Sequence, residues 1–143
     1  MIAIGNDHAG YQLKKEITQY LEKKGIAYKD YGCGDVSMSD YPEYAKAVGR
    51  AIQHRECDKG IVICGTGIGV SIAANKMKGI RAALCHDCFS AEACRLHNDA
   101  NVLAMGARVI GSGLALKIVE TFLNTEFSGE ERHVRRIQML EEK

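Results

Sequence analysis

Gly60-Ile61-Val62-Ile63-Cys64-Gly65-Thr66-Gly67-Ile68-Gly69 is the stretch that decides the fold. Ile61 to Cys64 is an apolar run too short for a helix and free of polar alternation, so it reads as a strand buried on both faces. Three glycines within the next five residues mark a tight turn, and the small-residue segment Ile68 to Lys78 reads as a helix. The same rhythm extends in both directions. Upstream, Ile2-Ala3-Ile4-Gly5 predicts a strand that stops at the polar turn Asn6-Asp7-His8. A helical face of Leu13, Ile17, Tyr20 and Leu21 follows and ends at Gly25. Ile26 to Tyr31 reads as extended, and Tyr41-Pro42 opens a helix with Tyr44, Ala45, Val48 and Ile52 inward.

Downstream, Arg81 to Cys85 predicts a strand, Ser90 to Leu96 a helix, Val102 to Met105 a strand and Leu114 to Leu123 a helix, the last entered through Gly111-Ser112-Gly113. About five apolar strands alternating with helices predict an α/β fold, a parallel sheet covered on both faces in a three-layer sandwich. Glu130 to Lys143 stands apart. Its Arg132, Arg135 and Arg136 alternate with Val134, Ile137 and Leu140, which predicts an amphipathic C-terminal helix appended to a completed unit. Its apolar stripe needs cover, and a partner chain is the natural place for it.

At 143 residues the chain reads as one domain, 1–143, able to bury a core without disulfides or metal. Nineteen basic residues against eighteen acidic ones leave no excess of positive charge to displace counterions, which argues against nucleic acid as a partner. No apolar run approaches membrane-spanning length and no basic, apolar leader pattern opens the chain, so no membrane partner is expected. Six cysteines without an export pattern point to reduced thiols and a cytoplasmic location.

In an open parallel sheet, ligands bind beyond the carboxyl ends of the strands. Asp7-His8 follows the first strand, Cys64 and its glycine loop end the third, and His97-Asn98-Asp99 lies past the helix after the fourth. These groups are expected to converge on one rim. Cys64 reads either as a small buried hydrophobe or as a thiolate stabilised by the loop N–H groups and the dipole of the next helix. Gly65, Gly67 and Gly69 serve either a plain strand-to-helix turn or an anion cradle of backbone donors. The dinucleotide fingerprint fails, because Val70 stands at the third glycine position, and no Gly-Lys-Ser/Thr follows for a phosphate loop. Asp7 is equally suited to cap a helix that begins near Gly10. Arg132 and Arg136 share a helical face and suit either a phosphate or a solvated surface paired with Glu130, Glu131 or Glu141. Cys85-His86-Asp87-Cys88 with Cys94 and His97 offers a rival zinc or redox reading, but Cys94 falls inside a predicted helix, which strains four-fold convergence.

Asp7-His8-Ala9-Gly10, Cys64-Gly65-Thr66-Gly67-Ile68-Gly69, His97-Asn98-Asp99-Ala100-Asn101-Val102-Leu103 and Arg132-His133 with Arg136 resemble the type B ribose 5-phosphate isomerase family, which also includes allose and galactose 6-phosphate isomerases. The resemblance spans nearly the whole chain. It implies a Rossmann-like fold and a phosphorylated sugar substrate. It also implies a homodimer or dimer of dimers, with active sites shared between chains, and no metal or organic cofactor. Cys64 matches the catalytic base; another branch places a glutamate elsewhere for this task, and position 75 here is Asn75. Asp7, Thr66 and His97 match residues of ring opening and hydroxyl contact, and Asn98 with the loop glycines matches the group that holds the intermediate. Arg132, Arg136, Arg108 and His8 match phosphate contacts. The implied reaction interconverts ribose 5-phosphate and ribulose 5-phosphate through an enediolate. A hexose phosphate substrate, or a sugar-phosphate-binding module without catalysis, is the alternative.

Overall fold

The computed structural model describes residues 1–142. Five strands form one wholly parallel sheet: β1 (Ile2–Asn6), β2 (Tyr28–Asp30), β3 (Lys59–Cys64), β4 (Ala82–Leu84) and β5 (Val102–Gly106), in the order β2-β1-β3-β5-β4. The helices are α1 (Tyr11–Lys23), α2 (Tyr41–Gln53), α3 (Ile68–Asn75), α4 (Cys88–Asn98), α5 (Ser112–Asn124) and α6 (Glu131–Glu141). β1, β5 and nearly all of β3 are buried along their length, as their unbroken apolar sequence requires of strands covered on both sides.

The two-residue period of each strand divides the core. Ile2, Ile4, Ile61, Ile63, Leu103 and Met105 pack with Leu13, Ile17 and Leu21 of α1, Ala91 and Cys94 of α4, and Ile118, Val119 and Phe122 of α5. Ala3, Val62, Cys64, Val102 and Ala104 face the other way, onto Ala45 and Val48 of α2 and Val70 and Ala74 of α3. This is the expected three-layer, Rossmann-like sandwich. The chain leaves β1 toward β2 and returns past it to β3, so the switch point of the sheet lies between the carboxyl ends of β1 and β3.

Local signals explain most boundaries. Gly25, at φ +68°, ends α1, and the Ile26 N–H closes the turn on the Leu21 carbonyl at 2.9 Å. Pro42 sits in the first turn of α2. Several boundaries differ from the sequence reading: β2 and β4 are shorter, α4 is longer at both ends, α3 ends earlier and α5 starts earlier. Ser112 and Gly113 lie inside the first turn of α5 rather than before it. α3 stops at Asn75, whose side-chain amide both donates to and accepts from the Ala82 backbone at 2.9 and 2.8 Å, tying the helix end to the start of β4.

Candidate active site

The switch point carries an open cleft of about 410 Å³, lined in part by Asp7, Tyr41, Cys64, Thr66, Gly69 and Arg108. Cys64 ends β3 with only 5% of its surface exposed. The chain then turns sharply because Gly67 adopts the left-handed conformation, φ +77°, where a side chain would also strike Leu84 and the backbone of Met105 and Gly106. That conformation aims the Gly67 N–H back at the Cys64 sulfur, 3.1 Å away. α3 begins at the next residue, so the thiol lies at a helix N-terminus with a backbone donor directly on it.

The loop donors are divided between tasks. Gly67 N–H serves the sulfur and Ile68 N–H is taken by the Thr66 hydroxyl at 3.2 Å. The N–H groups of Gly69 and Val70, in the first turn of α3, have no carbonyl of their own helix to meet. They are the donors left for an anion. Gly69 also lets the Tyr41 ring lie close, since a Cβ there would come within 2.5 Å of it. The sequence marks Tyr41 only as a helix start, through its neighbour Pro42, and the ring's approach to the glycine loop is a tertiary fact. Arg108 is exposed, with its guanidinium beside Gly65. Its backbone N–H and that of Ala107 hold the carbonyls of Gly65 and Cys64, each at 2.9 Å.

Asp7 fulfils its capping reading and also stands at the cleft. Its carboxylate accepts the Gly10 N–H at 3.1 Å, capping the short 3-10 turn before α1, and it borders the cleft while 5% exposed. His8 beside it is held by Ser39 of the β2–α2 loop: Ser39 N–H donates to Nδ1 at 3.2 Å, and the His8 N–H donates to the Ser39 hydroxyl at 3.1 Å. An Nδ1 that accepts leaves Nε2 as the protonated nitrogen of the neutral ring, a donor for an anionic ligand.

The other predicted residues are elsewhere, and the expected convergence on one rim within a chain is wrong. A helix that follows a parallel strand runs back along it, so the C-terminal end of α4 returns to the rim where strands begin. His97 and Asn98 lie there. The Asn98 carbonyl accepts from Arg81, just before β4, at 3.0 Å, and the Asn101 carbonyl meets Gly60 at the start of β3. The length of β5, about 13 Å, separates the two rims. α6 belongs to the far group: His133 stacks on His97 with ring centroids 4.6 Å apart, and Arg81 pairs with Glu141 at 2.7 Å. Arg132 and Arg136 are exposed, the former paired with Glu130 at 3.0 Å, so part of the solvated-surface reading holds as well.

The rival cysteine set does not assemble. Cys88 opens α4 and His97 nearly ends it, while Cys85 and Cys94 are buried against each other. A hydrogen bond to Cys94, and then burial, push the Cys85 thiol far up, which makes it a poor nucleophile or metal ligand. Among the described residues no three His, Cys, Asp or Glu side chains gather as a metal-binding set.

Residues 2–140 match the Ribose/Galactose Isomerase family. Ribose-5-phosphate isomerase B of Escherichia coli K12 is 47% identical over 139 residues, covering 97% of this chain and 93% of that protein. Among solved structures, ribose-5-phosphate isomerase B of Clostridium thermocellum superposes with a TM-score of 0.96 at 51% identity, over 98% of this chain and 94% of the other. A ribose 5-phosphate isomerase from Thermotoga maritima gives 0.97 at 49%, over 99% and 97%. With sequence, topology and cleft in agreement, this chain belongs to the ribose/galactose isomerase family.

Proposed function

We propose that the protein interconverts ribose 5-phosphate and ribulose 5-phosphate, with Cys64 as the base that moves a proton between C2 and C1. The observation that carries this reading is the Cys64 sulfur at the switch-point cleft, held 3.1 Å from the Gly67 N–H and bordered by Asp7, Thr66 and Arg108. The thiolate takes the C2 proton of the open-chain aldose, and the C–H electrons form a C1=C2 enediolate with the charge on O1. A proton passes from O2 to O1, and the thiol returns its proton to C1 as the C2 carbonyl forms, giving the ketose and regenerating the thiolate. A positioned base of this kind accelerates transfer by roughly 10²–10⁴-fold. Gly69 and Val70 N–H groups meet the negative oxygen where it develops. The phosphate holds the reacting carbons in place.

Ring opening and phosphate binding call for His97, Asn98, Arg132 and Arg136, which the fold puts on the opposite rim of their own chain. Two copies related by a two-fold axis resolve this: each supplies its α4–α6 group to the other's cleft. Apolar surface supports such a contact. Ile68 and Ile72 of α3 stand about half exposed beside the cleft, and Met139 and Leu140 of α6 are more than 60% exposed. The working unit is thus a pair of single-domain chains, alone or as half of a tetramer. Among the described residues no helix is long and apolar enough to cross a membrane, and six unpaired thiols suit the reducing cytoplasm in which we place the protein.

Incubation with ribose 5-phosphate, followed by a ketose assay, tests the reaction. Product formation that the sugar phosphate's analogues inhibit, with Cys64 alkylation slowed by ribose 5-phosphate, is the expected result. Binding without product would reduce the protein to a sugar-phosphate-binding module.

A further inference from the structure

His133 has no task in the mechanism above. It is the buried residue of α6, 6% exposed, on a helix whose other side chains are mostly in solvent. Its Nε2 is shut off from solvent and meets no hydrogen-bond partner among the described residues. A buried imidazole nitrogen without a partner costs free energy, so the ring is retained for something other than a hydrogen bond within the chain. A ligand cannot reach that nitrogen either, since no surface of it is open. What the ring does touch is His97, stacked at 4.6 Å with the planes 19° apart. We propose that His133 is a positioning residue for ring opening, a flat platform that fixes the plane in which His97 exchanges a proton with the sugar. This rests on the isomerase reading and on the role of His97 in it.

Opening the furanose breaks the C1–O4 bond: O4 gains a proton, and the O1 hydroxyl loses one as the C1 carbonyl forms. An imidazole that swings on its χ angles meets neither oxygen reliably. Stacking on a buried ring removes that freedom, and a misplacement near 1 Å costs about 100-fold in such a step. The charges around the pair point the same way. Burial, then Arg132 on its own helix and His97 on α4, hold His133 below the ordinary imidazole range; Arg136 adds to this and Glu130 opposes it. The ring beneath His97 therefore favours its neutral form, and His97 is the member of the pair with open surface.

Two reactions of the intact protein separate this from a merely structural role. Isomerisation of ribose 5-phosphate requires ring opening. Deuterium incorporation from heavy water into C1 of ribulose 5-phosphate does not, because that ketose has its 5-hydroxyl esterified and is already open. His133→Ala is expected to slow the first about 10- to 100-fold while leaving the second near the parent rate. His133→Phe restores most of the loss, because it keeps a flat ring and gives up no hydrogen bond. Equal loss in both reactions, no loss in either, or a phenylalanine variant no better than the alanine one would overturn the proposal. A parent protein active in neither reaction would refute the isomerase reading instead.

Discussion

Pairing two inactive variants should regenerate activity if, as proposed, the cleft and the groups that serve it come from different chains. Cys64→Ala removes the proposed base on the carboxyl rim. Arg132→Ala/Arg136→Ala removes the proposed phosphate grip on the far rim and disturbs little else, since both arginines are exposed. Each variant alone has a lesion in every site. When the two are co-expressed in equal amounts, half of the pairs are mixed, and each mixed pair has one site with both lesions and one with neither. About one quarter of all sites are then intact, and the mixture should recover about 25% of the parent rate; mixed pairs isolated through two different tags should recover about half. The magnitude follows from topology, since the roughly 13 Å of β5 keeps the two groups apart within a chain. The assay is ketose formation from ribose 5-phosphate. A mixture no faster than the better of its parents would show that the arginines and the cysteine work within one chain, and the shared-site reasoning would be wrong.

Cys64→Ala alone should keep a cooperative unfolding transition and lower kcat by about 10²–10⁴-fold; unaltered turnover would remove the thiol from the mechanism. Gly67→Ala places a side chain at φ +77°, 2.5 Å from Leu84 and 2.7 Å from the Met105 carbonyl carbon. It should cost more than the roughly 1–2 kcal/mol of left-handed strain alone in urea denaturation, with the Cys64 sulfur losing its donor. Asp7→Ala removes the cap on Gly10 and should cost about 1 kcal/mol in the same measurement, with a separate loss of turnover. His133 is held below the unfolded imidazole value, so it is neutral in the fold and takes up a proton more readily when unfolded. Stability is therefore full above pH of about 6.5 and falls as the solution is acidified through that value. In His133→Phe this part of the acid dependence should vanish, as thermal melts against pH would show.

Much of the fold was legible because its signals are local. Ile61 to Cys64 could only be a doubly covered strand, and Gly25 and Pro42 marked helix ends by backbone chemistry alone. Boundaries that depend on distant partners were not legible: α3 ends at Asn75 because that amide finds Ala82, seven residues on and in another element. The candidate residues were legible as types at motif spacing. Their grouping was not, because the sequence reading placed His97 with the strand before it without counting the direction of the helix between. Tyr41 and His133 went unassigned for a related reason. Nothing in their immediate neighbours indicates that one ring lies on Gly69 and the other under His97.

The order of apolar runs and glycine turns determined an α/β sandwich with a cysteine at a strand end, and the motifs determined the family, since both are written in contiguous residues. Only the tertiary structure decided which residues share a rim. Parallel strands send every connecting helix back across the sheet, so neighbours in a motif list become opposite ends of a strand.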